Sequence, residues 1–159
     1  MNLGELIRLL VNVLTVITIA IVLAVMFFVI NKRHDLKKEM GVSAKTYLWI
    51  VGIVEVIYDI GLLLILYSMG VNIIQHLQNL EFGKILSAIN AVDVSKMKYA
   101  GKAGWIGFSI NCAVTFIAPA YLLIKGGKKL PKVIYGAAWL EIGLESIVIS
   151  LVFLSLFLG

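Results

Sequence analysis

Four acidic residues stand inside stretches that otherwise read as membrane-spanning helix: Glu55 and Asp59 in one, Glu141 and Glu145 in another. An ionised carboxylate at the centre of a bilayer costs roughly 3 kcal/mol on insertion scales, so such residues are rare there and mark ion paths, proton relays or partner contacts. Each pair is spaced i, i+4, which puts both acids on one helix face. Two carboxylates so placed in a low-dielectric setting repel, and the pair is expected to hold a shared proton or a bridging cation. No Lys or Arg lies within these stretches. The countercharge must therefore be a proton, a cation, water in a cavity or a partner subunit.

Oxygen-bearing residues elsewhere complete a candidate site. Asn111 and Thr115 are also i, i+4, and Pro119 follows four residues after Thr115. A proline cannot donate the backbone hydrogen bond that the Thr115 carbonyl would otherwise accept, so a kink is expected there, with an oxygen freed beside a hydroxyl and an amide. Such donors suit protons or hard cations better than soft metals. The metal assignment stays open. Asn12, Thr15 and Thr18 in the first apolar stretch are read as a supporting wall. The expected ion-binding or proton-carrying set is Glu55, Asp59, Glu141, Glu145, Asn111 and Thr115.

The elements that must position these residues follow from composition. With 61% hydrophobic and 14% charged residues and a mean hydropathy of +1.01 over 159 residues, the chain has too little polar surface for a soluble domain. Four windows are long and apolar enough to cross a ~30 Å core at 1.5 Å per residue: Leu9 to Ile30, Tyr47 to Met69, Gly104 to Ile124 and Val133 to Leu158. The first is too long for a signal-peptide core and lacks a basic start and a small-residue cleavage site, so it is read as a helix. Glu55 and Asp59 are the ninth and thirteenth residues of their window, and Glu141 and Glu145 hold the same places in theirs. Both pairs are thus expected near mid-membrane, out of reach of the interface for such short side chains.

Basic residues set the orientation. Lys32, Arg33, Lys37, Lys38 and Lys45 crowd the first connection, and Lys125, Lys128, Lys129 and Lys132 the third. The positive-inside rule places both in the cytoplasm and both termini outside, as a multi-pass protein of the cell membrane. The net charge of +5 is a topology signal that also favours anionic lipid headgroups; no nucleic-acid recognition module accompanies it. A lone Cys112 permits no intrachain disulfide, and His34 and His76 lie outside the windows. No cofactor is therefore expected. Walker, metalloprotease and nucleophile-elbow motifs are lacking, and the chain is read as a non-enzyme.

The expected fold is all-α: a single integral membrane domain over 1–159, with four transmembrane helices as two parallel helical hairpins. Residues 70–103 join them. Ile73, Ile74, Leu77 and Leu80, then Ile85, Leu86 and Ile89, recur at helical spacing there, which predicts an amphipathic, interfacial helical connection broken at Gly83. The halves 1–69 and 104–159 have the layout of a duplication, each being helix, basic turn, then helix with two acids. Gly136, Gly143, Ser146 and Ser150 form a small-residue stripe opposite Glu141 and Glu145, suited to close helix packing. Four helices are few to cover both faces, so a homo-oligomer or a heteromeric membrane complex is expected. Abundant Ile and Lys with scarce Cys and Gln suggest a thermophile.

In topology, though not in sequence, paired hairpins with intramembrane carboxylates resemble the proteolipids of rotary ATPases, in which a carboxylate binds the translocated ion. The paired acids, the long middle connection and the lack of dense glycine repeats depart from that pattern, and no family is assigned. The function expected is binding and movement of protons or cations. The alternative is a non-catalytic subunit of a respiratory, secretion or viral assembly, whose acids pair with a partner's basic residues.

Overall fold

A computed structural model of the protein describes residues 2–70, 73–84 and 101–158. Its regular elements are all helical, as the hydropathy pattern requires, because only internally bonded backbone is stable in hydrocarbon. Helix α1 (Leu3–Asn31) starts at a capping box: Asn2 Oδ1 accepts from the Glu5 amide at 2.8 Å, and Glu5 Oε2 accepts from the Asn2 amide at 3.3 Å. That pair satisfies two of the amides a helix start leaves open, so the helix begins six residues before its apolar window. Helix α2 (Arg33–Met40) forms the basic turn and stops at Gly41, whose φ of 69° lies in the left-handed region that glycine tolerates best. Ser43 then caps α3 (Ala44–Ser68) by accepting from the Thr46 amide.

The third span is interrupted. Helix α5 (Lys102–Val114) ends at Thr115, and α6 (Ile117–Lys125) restarts two residues later with Pro119 in its first turn. This is the break expected from Pro119. A 3-10 turn (Gly127–Lys129) leads into α7 (Lys132–Leu158). Taking α5 and α6 as one span, four helices are long and apolar enough to cross a membrane.

Between the second and third spans lies α4 (Ile73–Gln78). The described chain turns at Leu80, which adopts a φ of 55°; Gly83, the break expected from sequence, sits within a helical turn at 82–84. Ile85, Leu86, Ile89, Lys96 and Lys98 lie outside the described residues.

The core gathers at the end of the bundle that carries both basic turns. Val25 and Val29 of α1, Leu36, Val42, Tyr47, Leu122, Leu130 and Ile134 are buried together there, so the two basic turns lie at the same end of the bundle. The most extensive packing runs across the halves: α1 lies against α7, and α3 against α5 and α6, while the sequence neighbours α1 and α3 share little contact. Glycine explains the second pairing. A Cβ built on Gly61 would come within 2.8 Å of the Gly107 carbonyl and closer still to the Asn111 amide oxygen, and one on Gly107 would strike the Gly61 carbonyl. Such backbone-to-backbone contact is how helices associate where lipid supplies no hydrophobic driving force.

Candidate functional site

The two acid pairs occupy different environments. Glu141 is only 3% exposed, on the inward face of α7, and its Oε2 is buried without a hydrogen-bond partner. Glu145, one turn further, is half-buried and lines a partly open cavity of about 180 Å³ to which all four spans contribute residues. Thr15, Tyr58, Asn111, Cys112 and Thr115 share that lining. Glu55 and Asp59 are exposed on the flank of α3, within electrostatic reach of one another.

The rotation of α3 accounts for the difference. At 100° per residue, Asp59 stands about 200° and Glu55 about 240° around the helix from Gly61. Docking Gly61 onto Gly107 therefore turns both acids away from α5. The same rotation brings Tyr47 and Tyr58 toward the interior, since each lies within about 60° of Gly61. On α7 the acids face inward instead. Glu141 and Glu145 are within electrostatic reach of each other.

Sequence reading passed over the two tyrosines. Tyr47 is fully buried, its hydroxyl has no hydrogen-bond partner, and it is within electrostatic reach of Glu141. Tyr58 is within reach of Glu145 and also of Glu55 and Asp59. It is thus the one described side chain shown to be in range of both acid pairs. A signal was available: Tyr47 and Tyr58 are eleven residues apart, about three turns, which places them on one face.

Asn111 and Thr115 line the same cavity as Glu145, and none of Glu55, Asp59 and Glu141 shares that lining. Asn111 is 9% exposed with its Oδ1 buried and unpartnered, pressed toward Gly61. The Thr115 hydroxyl donates to the Cys112 carbonyl at 3.1 Å, and Pro119 cannot donate to the Thr115 carbonyl. On α1, Thr15 and Thr18 donate back to their own helix, to the Val11 and Leu14 carbonyls; Thr15 lines the cavity and Asn12 is exposed.

The small-residue stripe points outward. A Cβ on Gly136 or Gly143 would meet nothing within 4 Å. Ser146 and Ser150 are exposed and donate to carbonyls of their own helix at 2.8 Å. The stripe therefore packs on neither the first nor the third span within the chain.

Chemically, the interior combines two carboxyls, two phenol hydroxyls, an amide and a threonine hydroxyl. Leaving a buried polar group unmatched costs about 1–3 kcal/mol, and three such atoms (Tyr47 Oη, Asn111 Oδ1 and Glu141 Oε2) lie in the same interior. Each can accept a hydrogen bond, and the Tyr47 hydroxyl can also donate one. The cavity has room for several waters, each of which takes about 30 Å³ in the liquid. Among the described residues no three of His, Cys, Asp and Glu converge as a metal site would require. No protein family, curated relative or solved structure matches the chain.

Proposed function

We propose that the protein binds and moves protons or other cations across a membrane through its intramembrane carboxylates. Glu141 and Glu145 are the carriers, and Asn111 and Thr115 assist. The observation that carries this reading is the unpartnered, buried carboxyl oxygen of Glu141, one helical turn from a Glu145 that borders, with Thr15, Tyr58, Asn111 and Thr115, an otherwise apolar cavity between the spans. A packing-only role for these acids would favour hydrogen bonds that close; here the Glu141 oxygen is left open, and Glu145 and Asn111 border space for water. Tyr47 extends the path toward the basic end and Tyr58 toward Glu55 and Asp59. Both basic turns are assigned to the cytoplasm and both termini to the outside.

Glu141→Gln and Glu145→Gln, each reconstituted in liposomes with a pH-sensitive dye inside, test the reading. Loss of the carrier proton is expected to lower the imposed-gradient flux at least tenfold. Flux equal to that of the unaltered protein in both variants would sink it.

A second reading is favoured by a different observation. Glu55 and Asp59 are exposed within a helix apolar enough to span a membrane, where an acid without a countercharge is costly, so a neighbouring subunit with basic residues is a natural cover for them. In that role the chain is a membrane subunit of a larger assembly. Glu55→Gln/Asp59→Asn would then abolish copurification of the partner and leave liposome flux intact.

A further inference from the structure

Away from the acids, a groove of about 650 Å³ runs down the outer face of α3 from the α1–α2 corner. Arg33 and Lys45 are among its lining residues, with Leu48, Trp49, Gly52 and Ile53, continuing along α3 to Val56 and Ile57. The groove exists because α1 packs on α7 and leaves little contact with α3. Gly52 deepens it, since a side chain there would meet nothing within 4 Å.

Three features point to one occupant. First, the length fits a leaflet: from Lys45 to Ile57 the helix rises about 18 Å at 1.5 Å per residue, against half of a ~30 Å hydrocarbon core. Second, the charge is confined to one end. Arg33 Nη1 donates to the Ile30 carbonyl at 3.1 Å, which fixes the guanidinium at the tip of α1 with its other N–H groups available. Among the described residues neither Arg33 nor Lys45 is engaged in an ion pair. Arg33 and Lys45 line the same groove, and guanidinium and ammonium groups are the side chains that recognise a phosphate. Third, Trp49 is exposed about one turn below Lys45, the depth at which indole rings sit at the headgroup boundary.

We propose that this groove is a binding site for an anionic glycerophospholipid of the leaflet that faces the basic turns. Arg33 and Lys45 hold the headgroup phosphate, and one acyl chain lies along Leu48, Gly52, Ile53 and Val56. The site is independent of ion movement, since the groove contains none of the interior carboxyls.

Native mass spectrometry of the full-length protein, released from nanodiscs of mixed phosphatidylglycerol and phosphatidylcholine, tests it. The unaltered protein is expected to retain phosphatidylglycerol in clear preference to phosphatidylcholine, a comparison that does not depend on any variant folding. Arg33→Gln and Lys45→Gln are each expected to lower that retention roughly fivefold, the loss per cation near a membrane surface. The control pair Lys128→Gln/Lys129→Gln, on the other basic turn, leaves it unchanged. Gly52→Phe fills the groove and lowers retention of both lipids. Equal retention of the two lipids by the unaltered protein overturns the proposal, as does an Arg33/Lys45 double variant that behaves like the control pair. So does displacement by millimolar inorganic phosphate, which would mark a free-anion site, or a dimer lost only in Gly52→Phe, which would assign the groove to a second copy of the chain.

Discussion

Gly61 of α3 and Gly107 of α5 each occupy the space that a side chain on the other would need. That contact sets the distance between the second and third spans and the rotation of the second. Gly107→Ala places a methyl within 3.0 Å of Leu64 Cβ and closer to backbone, which cannot move aside as a flexible side chain can. Overpacking of this sort costs about 1–3 kcal/mol. The expected outcome is a lowered midpoint of unfolding in detergent for Gly107→Ala and Gly61→Ala. Gly143→Ala, which meets open space, is expected to leave the midpoint unchanged or raise it slightly, because alanine is the better helix former.

The unpartnered oxygen of Glu141 makes a second prediction, in which stability and activity part company. Where a buried polar group has no matched partner, an apolar residue of similar size is neutral or stabilising. Glu141→Met should therefore unfold no more easily than the unaltered protein, with a gain of up to about 1–3 kcal/mol if the acid is unmatched at the time of unfolding. Liposome flux should fall at least tenfold in the same variant. A loss of several kcal/mol in stability would show that Glu141 holds the bundle together and is not kept for transport.

The four spans were legible from hydropathy alone, and so was the interruption of the third, because one residue type, Pro119, removes one identifiable hydrogen bond. Spacing put Glu141 and Glu145 on one face; the structure turns that face inward and sets Glu145 beside the cavity that Asn111 and Thr115 line. Which helices pair did not follow from spacing. Pairing is decided at Gly61 and Gly107, and sequence inspection favoured Gly136 and Gly143, which have the same small-residue character but face outward. The exposure of Glu55 and Asp59 was hidden for the same reason. An i, i+4 pair defines a face but not its direction, and the direction came from a glycine two residues past Asp59.

Restoring the backbone donor at the break in the third span should straighten it. Pro119→Ala supplies an amide to the Thr115 carbonyl and removes the ring that crowds the preceding turn. Spin labels at Ile106 and Ile124, both exposed, report the geometry without entering the core. An uninterrupted helix would separate the two positions by about 27 Å along its axis, at 1.5 Å for each of the eighteen steps. The distance measured in Pro119→Ala is expected to approach that value and to exceed the distance in the unaltered protein. Identical distances would mean that the interruption is set by packing around Thr115 and Phe116, not by the proline.

Tyr58 offers the sharpest separation between a path and a wall. It is in electrostatic range of Glu145 on one side and of Glu55 and Asp59 on the other, and it lines the central cavity. Phenylalanine keeps the ring and its packing while removing the hydroxyl, so Tyr58→Phe should unfold within about 1 kcal/mol of the unaltered protein, the usual net worth of one hydrogen bond. If the hydroxyl passes protons between the two acid pairs, flux falls in Tyr58→Phe, and adding Glu145→Gln lowers it no further, because both substitutions interrupt one route. Non-additivity of that kind is the signature of residues acting as a unit. Independent, multiplying losses would instead place Tyr58 outside the path, and unchanged flux in the single variant would reduce the ring to cavity lining.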